Sequence, residues 1–260
     1  MAEYVHSWSG GKDSTASILL DYIHNSPPMA QKVIFAEVMF DRERGISGEL
    51  PEHIEWIDTI AIPRLESMGF KVIKARADRD YLDCFFRVRT SCKDLSRNGK
   101  IYGYPIGGGC IVNRDVKMRA IRKANKIAGK AVQILGIAAD EPERLDSMHR
   151  RGGQISLLEQ HGYTEAMAMR LCKDWGFLSP IYETKSRGGC WFCPNARISE
   201  LAHLKEMRPE LWMELEKLSH VPNTVARGFK WGESFQSVDR RVDQYIRAKW
   251  MKENQLRWDV

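Results

Sequence analysis

Residues 4–24 read YVHSWSGGKDSTASILLDYIH, and the order of properties along them decides the fold. A short apolar run, Tyr4 to Trp8, ends in Ser9, Gly10, Gly11, Lys12, Asp13 and Ser14; Ala16, Ile18, Leu19, Leu20, Tyr22 and Ile23 then recur in helical order. That pattern is strand, glycine turn, helix. Downstream, residues 32–40 (KVIFAEVMF) read as a second buried strand, 52–68 as a helix opened by Pro51, 71–75 as a third strand and 131–137 (AVQILGI) as a fourth. Strands alternating with helices predict an α/β fold with a mostly parallel, doubly wound sheet, and ligands outside the carboxyl ends of its strands.

We expect this core to occupy residues 1–152. Beyond Gly153 the pattern turns helical, with helices expected over 164–175, 198–206, 210–218 and 234–250, so residues 153–260 read as an appended helical region. A loop rich in Gly and basic residues, 182–189, leads into Cys190. The 260 residues carry 43% hydrophobic and 28% charged side chains, which suits a packed core and excludes a disordered chain. No stretch nears 18 apolar residues and the first residues lack a secretory pattern, so we expect a cytoplasmic protein with no membrane partner. A net charge of +6 permits a polyanionic partner without requiring one. Six cysteines in a reducing compartment point to metal or redox work rather than disulfides.

The glycine pair between strand and helix frees backbone N–H groups to face an anion. It is not the common mononucleotide loop, because His6 stands where the first Gly belongs and Asp13 replaces Ser/Thr. An ordinary tight turn is the plain reading of a bare G-G-K. Ser-Gly-Gly-Lys-Asp-Ser in full resembles the signature of the PP-loop, or adenine nucleotide α-hydrolase, superfamily. The resemblance implies binding of ATP or a related adenine nucleotide with Mg²⁺ and cleavage at the α phosphate. Ser9, Gly10, Gly11 and Ser14 would hold phosphate oxygens, Lys12 would supply positive charge and Asp13 would position Mg²⁺.

Cys190-Trp-Phe-Cys193-Pro194 is a C-x-x-C pair, and with Cys172 and Cys110 it could close a tetrathiolate shell. The runs 136–144 (GIAADEPER), 178–182 (LSPIY) and 188–194 (GGCWFCP) look like the phosphoadenosine phosphosulfate reductase family branch, from residue 4 to about residue 200. That family implies a [4Fe-4S] cluster on Cys110, Cys172, Cys190 and Cys193; zinc is the alternative for such a shell, and a buried helix thiol is the alternative for Cys172. A thioredoxin-like dithiol is disfavoured by its place late in the chain. The sulfonucleotide reductases attack with a cysteine on a C-terminal segment, whereas this chain has none after Cys193, and nothing around Cys84 or Cys92 marks either as activated. The resemblance therefore favours ATP cleavage serving sulfur transfer, as in tRNA and DNA thiolation relatives. Sulfonucleotide reduction with an external thiol, or a nucleotide- or nucleic-acid-binding module with structural zinc, are the alternatives.

Asp140, Glu141 and Arg144 follow the fourth strand at the ligand-binding edge: Arg144 could clamp a phosphate and Asp140 could assist the metal, or they form a capped helix start with a solvated ion pair. Asp41, ending the second strand, could reach the adenosine or Mg²⁺, and a turn carboxylate is the equal alternative. Lys117 resembles a family lysine that meets substrate, with a solvated helix lysine as the alternative. Arg119, Arg122, Lys123, Lys126 and Lys130 form a basic stripe that could track a nucleic-acid backbone, although most such stripes are solvated faces. Trp175, Trp191, Trp212, Trp231, Trp250 and Trp258 read as packing anchors rather than stacking platforms. His53 and His161 receive no role. The acceptor and any thiol or sulfur-donor protein partner are not named by the sequence.

Overall fold

The structure is a computed structural model that describes residues 3–106, 109–128, 131–183, 188–226 and 228–255. The chain forms two compact units, each assembled from two segments: residues 1–78 with 116–188, and residues 79–115 with 189–260. This division differs from a single cut after residue 152, because the chain leaves the sheet domain after Asp78, returns at Val116 and leaves again only after Gly188.

The first unit opens with β1 (Tyr4–Trp8), α1 (Lys12–His24) and β2 (Lys32–Glu37). A hairpin of β3 (Met39–Asp41) and β4 (Ile46–Ser47) follows. Then come α2 (Pro51–Trp56), a π-helical turn (Ile57–Ala61), α3 (Ile62–Ser67) and β5 (Lys71–Arg76). After α4 (Tyr81–Phe85) and β6 (Ile101–Gly103) of the second unit, the chain returns through α5 (Met118–Ala128), β7 (Val132–Leu135), α6 (Pro142–Arg151), β8 (Gln154–Ile155), α7 (Leu157–Gln160) and α8 (Glu165–Asp174).

Five strands form one parallel sheet in the order β5-β2-β1-β7-β8. The chain winds outward from β1 through β2 to β5, then resumes on the other side with β7, so the strand order reverses between β1 and β7. Such a crevice is where open α/β sheets take ligands. The expected second strand is shorter than residues 32–40: it ends at Glu37, and Met39–Asp41 turns into the antiparallel hairpin because Asp41 accepts hydrogen bonds from the backbone and side chain of Arg44. The two-residue β8 carries too little pattern for sequence reading.

Alternation along the strands sends Trp8, Val33 and Phe35 to the face packed by α1, while Val5 and Ile34 meet Ala124 of α5 on the opposite face. Helix α1 is buried from Ser14 to Asp21 and packs against α7 and α8. A buried polar pair pins it to the sheet: His6 Nε2 lies 2.9 Å from Asp21 Oδ2, and Asp21 also accepts from the backbone N–H groups of Met29 and Ala30. Such satisfaction is what makes a buried carboxylate tolerable.

The second unit joins β6 in parallel to β9 (Thr224–Ala226), with the hairpin β10 (Gly228–Lys230) and β11 (Glu233–Ser234). Helices α9 (Ile198–Met207), α10 (Pro209–Ser219) and α11 (Phe235–Gln255) complete it. Its core is aromatic: Tyr104 meets Phe85 and Phe229 edge to face, and its hydroxyl donates to the Leu215 carbonyl at 2.6 Å. Trp191 and Trp212 are buried as expected of packing anchors, whereas Trp231 and Trp250 are exposed; Trp258 lies outside the described residues. Among the described residues no helix is long and apolar enough to cross a membrane.

Burial holds His6 below its ordinary pKa, with Asp21 only partly opposing; burial pushes Asp21 up, but its bonds to His6, Met29 and Ala30 outweigh that and hold it low. An unfolded His titrates near about 6.5, so this stabilisation is complete above that pH and is lost as pH falls toward the lower folded value; the Asp21 contribution is lost further into acid. Urea midpoints should therefore drop between pH 7 and pH 5 in the wild type, and His6→Gln should be less stable at pH 7 but flatter across that range.

Candidate functional site

At the carboxyl end of β1 the chain turns through Gly10 at φ +72°. A Cβ there would come within 2.8–2.9 Å of the His53 ring and Ile57, so both backbone hand and space demand glycine. His53 is buried under the turn with its Nδ1 2.7 Å from Ser179 Oγ. Gly11 is the extended N-cap of α1. Ser9 and Ser14 close the loop upon itself: Ser9 N donates to Ser14 Oγ at 3.2 Å, and Ser14 Oγ donates to Gly11 O at 3.0 Å. Gly136, just beyond β7, lies so near that an added Cβ would stand 2.3 Å from Ser14 N. The loop thus sits at the reversal of strand order.

Lys12 has four partners in this unit, drawn from α1, α8 and the segment around Tyr182. Its N–H donates to Tyr182 Oη at 2.8 Å, its carbonyl accepts from Cys172 Sγ at 3.1 Å, and its ammonium reaches Asp13 at 2.7 Å and Glu165 at 3.1 Å. Burial works against the ammonium, but Asp13 and Glu165 outweigh it and hold the pKa above its ordinary value, so Lys12 is charged. Burial pushes Asp13 up, and Glu165 and Glu141 add to this against the pull of Lys12. Burial likewise pushes the Tyr182 phenol up to about 12. The first N–H groups of a 13-residue helix, its dipole and a buried cation therefore converge with a carboxylate on one loop.

The other expected residues fall at varying places. Asp140 Oδ1 accepts from the Glu165 N–H at 3.0 Å, which fixes the start of α8 near the Lys12 partner. Arg144 is exposed and bonds Glu141, whose other oxygen takes the Ala138 N–H. Asp41 is held low by Arg44 despite its burial. Lys117 is half-buried. Arg119, Arg122, Lys123 and Lys126 form the exposed face of α5, with Arg119 paired to Asp78; Lys130 lies outside the described residues, as do 107, 108 and 184–187.

Of the four cysteines expected to share a cluster, Cys172 belongs to the first unit and Cys110, Cys190 and Cys193 to the second. Cys193 N donates to Cys190 O at 3.1 Å, closing the C-x-x-C turn over buried Trp191 and Phe192. Lys230 ties down the following chain through the Pro194 and Ala196 carbonyls. Burial pushes the Tyr81 phenol well up, with Tyr104 and then the thiols of Cys84, Cys193 and Cys110 adding to it. A C-x-x-C turn with Cys110 in the same unit has the donor chemistry of a soft metal or cluster site. The Cys172 thiol, in the first unit, donates to the Lys12 carbonyl and accepts from the Ala16 N–H, and burial pushes it up to about 12. Among the described residues, no three His, Cys, Asp or Glu side chains are assembled around a metal position.

Sequence reading missed Tyr182, Glu165 and Gly136 as parts of the loop site. Tyr182 and Glu165 lie more than a hundred positions from the loop; Glu165 carries no local signal, Tyr182 ends the LSPIY run but nothing in that run ties it to the loop, and Gly136, in the fourth strand pattern, is the one a close-approach argument could have found. It also missed that Arg89 Nη1 lies 3.5 Å from Cys92 Sγ, so that thiol does have a cation beside it.

Gly136→Ala should cost about 1–3 kcal/mol in a urea melt, because backbone cannot move aside as a side-chain tip can. Gly189→Ala, where an added Cβ meets nothing within 4 Å, should leave the midpoint unchanged. Comparison with known proteins returns no match: no family model, no curated protein and no solved structure matches this chain.

Proposed function

We propose that this chain is an enzyme of the PP-loop, adenine nucleotide α-hydrolase type, which binds ATP or a related adenine nucleotide at residues 9–14 and cleaves it at the α phosphate. The observation that carries this reading is the convergence on one strand-to-helix loop of a glycine pair, the buried Lys12 ammonium and the Asp13 carboxylate. Backbone N–H groups at the start of α1 hold phosphate oxygens, and the helix dipole favours their charge. Lys12 neutralises charge that accumulates as an acceptor oxygen bonds to the α phosphorus and pyrophosphate departs. Asp13 positions the Mg²⁺ that accompanies the nucleotide, with Asp140 organising the neighbouring start of α8. Arg144 and Asp41 remain outer contacts for phosphate and nucleoside in this scheme.

The thiols of Cys110, Cys190 and Cys193 extend the proposal to sulfur transfer, since they suit an iron-sulfur cluster or zinc. A bound cluster would supply iron able to hold sulfur; the residues of the loop act without it. Cys172 serves the fold of α1 and α8.

Asp13→Ala should abolish release of AMP and pyrophosphate from ATP while leaving the circular dichroism spectrum and the melting transition in place; undiminished turnover would remove the assignment. Tyr182→Phe should tighten ATP binding severalfold, because the Lys12 N–H no longer has to surrender an internal acceptor, at a cost of about 1 kcal/mol in stability. Iron and sulfide content of protein purified without oxygen should fall in Cys110→Ser, Cys190→Ser and Cys193→Ser. It should persist in Cys172→Ala, whose defect should appear in the urea midpoint.

A further inference from the structure

The second unit carries a pair of adjoining cavities, of about 710 and 360 Å³, that share Arg89 and Tyr102 in their walls. Arg87, Arg89 and Arg114 line the larger, and Arg89, Arg97 and Lys100 the smaller; among the described residues no carboxylate lines either. Asp115 partly neutralises Arg87 and Arg114, and Asp94 does so for Arg97, but both acids sit outside the walls. The Arg89 guanidinium carbon lies 4.5 Å from the centroid of the Tyr102 ring, which holds this cation between the two cavities they share.

Trp231, on the tight turn between β10 and β11, lines the smaller cavity and is 82% exposed. A tryptophan so open, beside a cation-lined trough, buries nothing in this fold. Cations along a trough track a phosphate backbone, while open aromatic faces stack on unpaired bases. Two adjoining cavities with cations in both and an open indole in the wall of one offer more anion and stacking sites than a mononucleotide would use.

We propose that this trough binds single-stranded nucleic acid, with Arg87, Arg89, Arg97, Lys100 and Arg114 on the backbone and Trp231 under a base. The site belongs to the second unit alone and does not rest on nucleotide cleavage by the first. RNA and DNA offer the same chemistry here, and both are tested.

The experiment is a fluorescence-anisotropy titration of the full chain with labelled single-stranded 12-mers of RNA and DNA, a duplex of the same sequence, and unlabelled ATP as competitor, at several salt concentrations. Expected is binding of at least one single strand that weakens steeply with salt, exceeds binding of the duplex, and survives ATP at concentrations that would saturate the loop. Trp231→Ala should weaken it about tenfold. Arg97→Gln with Lys100→Gln should weaken it and reduce the logarithmic salt slope by about 0.7 for each phosphate no longer neutralised. Arg122→Gln with Lys123→Gln, on α5 of the first unit, should change nothing. All of these positions are on the surface, so folding is checked by unchanged melting. No binding of either strand, equal binding of the duplex, displacement by ATP, or indifference to Trp231→Ala and the Arg97 and Lys100 pair would each overturn the proposal. Pyrophosphate release measured on the same variants should be that of the wild type in the absence of nucleic acid, which separates this result from any failure of the loop assignment.

Discussion

The first turn of α1 lies against the backbone just beyond β7, with no room between Gly136 and Ser14 for even a methyl group. That contact locks the loop to the sheet at the point where the strand order reverses, and it aligns the helix start over the crevice. With the turn fixed, Lys12 finds its four partners from α1, α8 and the segment around Tyr182. Lys12, only 5% exposed, stays charged because two carboxylates face it, which is how a buried cation is tolerated. The His6–Asp21 pair does similar service further along α1, holding the helix to the strand that precedes it.

Most of the first unit is legible in the sequence because its signals are local. β1 begins and ends where the apolar run does, and α1 begins at Lys12 where the glycines end. β5 and α8, and in the second unit α9 and α10, fall within one residue of their expected bounds, since period and caps mark them, while α11 runs from Phe235 to Gln255, past its expected end at residue 250. The second strand reads too long because KVIFAEVMF is apolar almost throughout, and apolarity does not reveal that Asp41 will fold back on Arg44. The domain boundary is not legible at all: composition changes near residue 153, but the chain departs at residue 79, in a stretch with no linker signature.

Within the site, glycines, lysine and aspartate announce themselves by spacing, while Tyr182, Glu165 and Ser179 do not, because each acts through a long-range contact. The four cysteines show the limit from the other side. Spacing groups them, while the bonds of the Cys172 thiol to the first turns of α1 have no counterpart in any local pattern.

The second unit is closed by β6 pairing with β9, strands about 120 residues apart in the chain. Everything from Val116 to Gly188 lies inside that loop and belongs to the other unit. An unstructured loop of this length makes closure entropically expensive and slow, and each doubling adds about 0.6 kcal/mol. If the intervening segment has already docked on the sheet, its ends are held and the effective loop shrinks. The order of assembly is thereby written into the connectivity: during synthesis the sheet domain can mature when residue 188 has emerged, whereas the unit that carries the C-x-x-C turn must wait for Thr224.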